Sequence, residues 1–207
     1  MIKITFMGAG STVFLRNVLG DCIYTDALKG MEIALYDIDG QRLEQSAAIL
    51  EAINKGNGCP ASIRSYLGAE NRRKALSGAD FVINAIQVGG YDPCTITDFE
   101  IPKKYGLRQT IADTLGVGGV FRALRTIPVM LDFAKDMEEV CPDAWLLNYT
   151  NPMAMLTGAM LRMTSVKTVG LCHSVQVCAS TLLNELGMGY DDSVQWKIAG
   201  INHQAWL

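Results

Sequence analysis

The sequence predicts an α/β fold with a doubly wound parallel sheet, and three observations carry that expectation. Residues 1–7 form an apolar run that ends in a glycine turn, Gly8-Ala9-Gly10-Ser11-Thr12. Further apolar runs recur along the chain, each followed by a segment of helical spacing, which is the alternation that builds parallel sheets. The second run, residues 32–36, ends on an acidic residue, Asp37.

The first turn organises the rest. Gly8 and Gly10 permit a tight bend with close backbone approach, and Ser11 or Thr12 can cap the helix that follows. That geometry sets a diphosphate against the amides of a helix N-terminus. Val13 stands where the G-x-G-x-x-G fingerprint places a third glycine, so the turn alone is also compatible with an unliganded strand–turn–helix. Residues 13–20 have helical spacing, and 21–30 read as a linker or short second helix. Asp37, at the end of the next strand, can accept hydrogen bonds from both ribose hydroxyls and disfavours a 2′-phosphate. It lies somewhat beyond the usual interval of about 20 residues, which the 21–30 segment accounts for. Gly8, Gly10, Ser11, Thr12 and Asp37 together predict a nucleotide site that prefers NAD to NADP.

Asp39 reads as a turn residue before a helix over 41–55, and 56–60 as a loop. A short strand is expected over 62–66, a short polar helix over 71–77 and a buried strand over 81–86. Residues 87–93 then form a loop at the carboxyl edge of the sheet, where ligands sit in open α/β folds. A helix is expected over 98–105, a glycine-rich polar loop containing Asp113 over 109–119, and a long helix over 120–140. Pro128 is expected to kink or divide that helix. Arg122 and Arg125, near its start, could face substrate or pair with acids.

Residues 144–149 form the next buried strand. Asn151 before Pro152 reads as an N-cap with proline at the first helical position, although an amide at a strand end can equally orient a sugar or nicotinamide. Met153, Met155, Met160 and Met163 read as core packing on the helix that follows. A strand over 166–171 delivers Cys172-His173-Ser174 to the same edge, ahead of a helix over 175–187. A sixth strand or hairpin arm over 194–200 leads to Asn202-His203. The expected architecture is Rossmann-like, of the lactate/malate dehydrogenase type. Residues 1–193 form the NAD-binding domain, and 194–207 begin an α+β domain that the chain does not complete.

Composition bounds the function. Of 207 residues, 49% are hydrophobic and 19% charged, with a net charge of −3, as expected for a soluble globular chain with a full core. No Lys/Arg run offers a track for nucleic acid, and the apolar runs are broken too early to span a bilayer. No basic leader or cleavage site precedes the first strand. The six cysteines form no CxxC pair, which fits reduced thiols in a cytoplasm better than a disulfide framework.

The chain has two histidines, and both fall at predicted strand ends. Cys172 and His203 could bind a divalent metal while leaving positions open for substrate or water, an arrangement suited to catalysis. Their spacing matches no standard metal motif, and a buried thiol with a hydrogen-bonded core histidine explains the same residues. Ser11, Asp113 and His173 form no recognisable nucleophilic triad.

The stretches GAGST (8–12), LYDID (35–39), QVGGYDPCTITDFEIPKKYGLRQTIADTLGVGG (87–119), RALRTIPV (122–129), LNYTNPMA (147–154), GLCHSVQ (170–176) and AGINH (199–203) resemble glycoside hydrolase family 4, and within it the α-galactosidase branch. The resemblance runs over essentially the whole chain. That family uses NAD and stands apart from two-carboxylate glycoside hydrolysis. The resemblance implies Cys172 and His203 as Mn²⁺ ligands, Asn151 as a substrate-binding residue and His173 as the proton donor. Asp113 is a second candidate for the acid or for orienting the metal site. It also implies a redox–elimination–addition reaction, in which a hydride leaves sugar C3 for NAD⁺ and later returns. The base, a tyrosine, is expected beyond residue 207. The resemblance therefore implies an N-terminal portion inactive by itself, belonging to a cytoplasmic homodimer or homotetramer.

Two other functions remain open on the residues. A lactate/malate-type 2-hydroxy-acid dehydrogenase shares the glycine turn, Asp37 and an Asn-Pro after the fourth strand, but needs no metal. A non-catalytic dinucleotide-binding module needs only the turn. Within the family, α-galacturonides or α-glucosides are alternative substrates. The sequence shows no basic cluster set aside for a sugar phosphate.

Overall fold

The computed structural model describes residues 1–110, 114–191 and 193–207. Six strands form one parallel sheet: β1 (Lys3–Met7), β2 (Glu32–Asp37), β3 (Ser62–Leu67), β4 (Phe81–Asn84), β5 (Trp145–Asn148) and β6 (Lys167–Gly170). Their spatial order is β3-β2-β1-β4-β5-β6. The chain therefore winds outward in one direction through β3, returns, and winds outward in the other through β6. The reversal lies between β1 and β4, and their carboxyl ends open the crevice in which open α/β sheets bind ligands. Register places Met7 beside both Tyr36 and Asn84, and Asn148 beside Asn84 and Gly170. One edge of the sheet thus carries every strand exit used by the site.

The sheet is covered on both faces, so its strands are apolar on both faces. Along β1, Ile4 and Phe6 enter one core cluster and Met7 enters the other. The first cluster packs α1 (Thr12–Tyr24) and α2 (Gly40–Gly56) onto the sheet through Leu15, Leu19, Leu43 and Leu50. The second packs α3 (Arg72–Leu76), α5 (Gly116–Val140) and α6 (Met153–Met163) through Leu76, Met130, Met137, Leu156 and Met160. Each large side chain wholly removed from water contributes about 1.5–3 kcal/mol. The remaining helices are α4 (Ile96–Lys104) and α7 (His173–Glu185), and a hairpin of β7 (Ala199–Ile201) and β8 (Gln204–Trp206) follows. No helix among the described residues is long and apolar enough to cross a membrane.

Several local expectations are corrected. Helix α1 continues to Tyr24, and the 21–30 segment is mostly helix plus a 3₁₀ turn at Asp26–Leu28. The short strand expected over 62–66 is present as the edge strand β3, and of the two readings of 194–200 the hairpin arm holds, over Ala199–Ile201 only, since β7 pairs antiparallel with β8 and adds nothing to the main sheet. Helix α5 begins at Gly116 inside the glycine-rich segment and runs undivided through Pro128. That proline is exposed, so the carbonyl it leaves unpaired faces water, where its loss costs least. Met160 is buried and Met155 packs against the core, but Met163 is 62% exposed and does not belong to it.

Candidate active site

The turn after β1 is held by its backbone. The N–H groups of Gly8 and Ala9 both donate to the Tyr36 carbonyl, at 3.0 and 2.9 Å. Gly8 has φ +87°, and a Cβ there would lie 2.7 Å from the carbonyl oxygen of Ala85. Only glycine meets both demands. A Cβ on Gly10 would lie 2.9 Å from Asp37 Oδ2, to which the Gly10 N–H donates at 2.6 Å. The Asp39 N–H donates to Asp37 Oδ1 at 2.9 Å. Asp37 is therefore aimed at the turn by two backbone donors, and each oxygen keeps a lone pair for a ribose hydroxyl. These features fit a dinucleotide: a Cβ-free cradle at a helix N-terminus with a carboxylate beside it.

The capping expectations are partly overturned. Ser11 occupies the N-cap of α1 but its hydroxyl caps nothing, and Thr12 is the first helical residue. The Ser11 hydroxyl is thereby left to the pocket it lines. Asp39 is itself the N-cap of α2, accepting from the Arg42 N–H at 3.1 Å. At α6 the N-cap is Pro152, not Asn151. Asn151 stands one residue outside, and its Oδ1 accepts from the Met153 N–H at 3.2 Å.

A cavity of about 360 Å³ opens where these exits meet. It is lined by Ser11 from the glycine turn, Asn151 from the β5 exit, Cys172 and His173 from the β6 exit, and His203 from the hairpin. Asn202 and His203 form the two-residue turn between β7 and β8, and His203 adopts φ +65°. The fold thus gathers Ser11, Asn151, Cys172, His173 and His203 in one place. Gly8, Gly10 and Asp37 lie beside it at the turn. Asp113 lies outside the described residues.

Burial pushes the Cys172 thiol up, yet donors from Ser174, Asn202 and Val175 outweigh that burial and hold it below its ordinary value. None of these contacts is a full helix-capping bond. A thiol so surrounded is biased toward thiolate, the form that ligates metals. Among the described residues no three His, Cys, Asp or Glu side chains cluster to hold a metal. Cys172 and His203, the two residues expected to hold a metal, both line the cavity. A thiolate and an imidazole can each ligate a divalent cation, and manganese, which favours oxygen donors, would need oxygens beyond this pair.

Three rings surround the pocket wall. Phe14 meets Tyr149 at 4.8 Å and His173 at 5.6 Å, both edge-on. Tyr149 and His173 lie 5.7 Å apart. Phe14 and Tyr149 were not distinguishable in the sequence from ordinary core aromatics. The two arginines of α5 separate. Arg125 forms a bidentate pair with Asp98, at 2.6 and 3.2 Å, and also donates to the Val88 carbonyl. Asp98 is 2% exposed, so this is a structural ion pair. Arg122, nearly buried, lines the cavity.

The family described as Family 4 glycosyl hydrolase matches residues 3–188. An alpha-galactosidase of Bacillus subtilis is 64% identical over the entire chain, which covers 47% of that protein. The chain spans about half the length of the curated relatives it matches. A 6-phospho-beta glucosidase of Thermotoga maritima, solved with manganese, NAD⁺ and glucose-6-phosphate, superposes with a TM-score of 0.80 at 25% identity. That match covers 99% of this chain and 48% of the other. A malate dehydrogenase of Picrophilus torridus matches with a TM-score of 0.64 at 17% identity, over 91% of this chain and 51% of its own. At that identity the likeness concerns the fold alone.

Proposed function

The chain belongs to family 4 of the glycosyl hydrolases, and from that premise we propose that it is the N-terminal half of an NAD- and Mn²⁺-dependent α-galactosidase. The observation that carries the reading is the convergence of Cys172, His173, His203 and Asn151 on one cavity that also reaches the dinucleotide turn through Ser11. The 64% identity to an alpha-galactosidase supports the sugar class over glucosides and galacturonides. The cytoplasm is the expected compartment, since oxidation of Cys172 would disable the site. The complete protein is expected to be a homodimer or homotetramer, with neither nucleic acid nor membrane as a partner.

Gly8, Gly10, Ser11 and Thr12 receive the cofactor diphosphate, and Asp37 orients its ribose. Cys172, from the β6 exit, and His203, from the hairpin turn, would hold the metal. Asn151 positions the substrate from the β5 exit. His173 gives a proton to the departing glycosidic oxygen, with Asp113 as the second candidate for that task. NAD⁺ and Mn²⁺, when bound, supply a hydride acceptor for sugar C3 and a Lewis acid that eases proton loss at C2, so that elimination and addition replace direct displacement. The base for C2 is expected from a tyrosine beyond residue 207.

The test is release of phenol from an aryl α-galactoside by the full-length protein under reductant, with NAD⁺ and Mn²⁺ each added or withheld. Release only when both are present, without accumulation of NADH, is the expected result. Stoichiometric NADH would make the protein a dehydrogenase. Activity that survives both a chelator and Cys172→Ser would overturn the metal assignment.

A further inference from the structure

Strands β4 and β5 leave the sheet side by side, and both exits line the cavity, through residues 85–87 and 149–151. The last paired residue of each is an asparagine, Asn84 opposite Asn148, and both are fully buried. Elsewhere these strands carry apolar residues, which fill such positions without desolvating a polar group.

The two amides build a bridge. Asn84 Nδ2 donates to Asn148 Oδ1 at 3.0 Å, and that oxygen also accepts from the Thr150 N–H at 3.1 Å. Asn148 Nδ2 donates to the Thr150 carbonyl at 3.3 Å and to the Thr157 hydroxyl at 3.2 Å. The Thr150 hydroxyl donates back across the crevice to the Ile86 carbonyl at 3.1 Å. Thr150 is thus tied at its N–H, its carbonyl and its side chain. Asn84 Oδ1 is buried with no hydrogen-bond partner among the described residues, an arrangement that stability alone disfavours.

We propose that Asn84 and Asn148 are positioning residues for substrate: they lock Thr150, and through it aim Asn151 into the cavity at a fixed distance from the β4 exit. The proposal rests on the reading that Asn151 contacts the sugar. It assigns the two buried amides a purpose beyond the fold. A set of hydrogen bonds spanning two adjacent exits holds a pocket rim more tightly than either loop holds itself.

Two variants of the full-length protein test it, with Asn151→Ala as the reference. Thr150→Val removes one tie at nearly constant shape. N84L/N148L replaces both amides together by apolar side chains, which removes the bridge and also frees the Thr150 N–H, the Thr150 carbonyl and the Thr157 hydroxyl from Asn148. Both are expected to keep the parental NAD⁺ affinity; Thr150→Val should also keep the parental melting temperature, whereas the double variant should melt lower because buried Thr150 groups lose a partner. KM for the aryl α-galactoside should rise about 3- to 10-fold in Thr150→Val and about 10- to 100-fold in the double variant. Parental KM in both, beside an impaired Asn151→Ala, overturns the pair alone. Parental KM in Asn151→Ala overturns the reading of Asn151, and with it the purpose given to the pair. Parallel losses of KM, NAD⁺ affinity and melting temperature reduce the amides to fold maintenance and overturn the proposal. If the double variant fails to fold, Thr150→Val decides by the same measurements.

Discussion

The two ends of the candidate site are built on different principles. The dinucleotide end is contiguous and made of backbone: Gly8 and Ala9 hang from the Tyr36 carbonyl, and Gly10 from Asp37. The sugar end is discontinuous and made of side chains, with Asn151, Cys172 and His203 arriving from three separate exits. A backbone cradle is specified by the absence of atoms. A side-chain constellation is specified by the packing of distant elements. The first should therefore fail through steric intrusion and lose stability together with cofactor. The second should lose chemistry while the fold persists.

The largest effect expected at the sugar end is from His203→Ala. If His203 holds the metal as proposed, its removal should lower hydrolysis about 10³-fold or more, with NAD⁺ affinity and melting temperature unchanged. A parallel fall in NAD⁺ affinity would show that the two ends are not separable. Gly8→Ala should do the reverse. A positive-φ alanine whose Cβ meets the Ala85 carbonyl should destabilise the chain by about 2–3 kcal/mol and weaken NAD⁺ binding at least about tenfold. Denaturant unfolding and a fluorescence titration measure both, and a variant of normal stability would contradict the close approach seen at Ala85. The smallest effect lies where the two ends touch. Phe14→Leu removes an edge-on ring from His173, worth about 0.5–1.5 kcal/mol, and should lower kcat several-fold without moving NAD⁺ affinity. An unchanged kcat would mean that His173 is oriented by other contacts.

The dinucleotide end was legible because its signals are local. An apolar run, a glycine turn and an acidic strand end each follow from a few adjacent residues, and the structure places Asp37 against Gly10 as that pattern requires. Local signals misled where tertiary context competed. Asn151-Pro152 has the composition of a helix cap, yet the cap falls on Pro152 and the Asn151 side chain reaches one residue less far. Residues 194–200 were compatible with a sheet strand or a hairpin arm, and only pairing decided between them: Ala199–Ile201 folds back on Gln204–Trp206. Arg122 and Arg125 were equivalent by spacing. Residues three apart share a helix face, so spacing could not show that Arg125 pairs with the buried Asp98 or that Arg122 lines the cavity.

By itself the sequence determined the α/β class, the order of strands and helices and the glycine turn, and it named the candidates for chemistry. Those depend on periodicity, on glycine where a Cβ cannot fit, and on motifs read within short windows. Only the tertiary structure decided which distant residues share a cavity, which acid Arg125 pairs with, and how two buried asparagines bridge the exits of β4 and β5. Such facts depend on register across a sheet and on contacts between exits some sixty or more residues apart in the chain, which no local window contains.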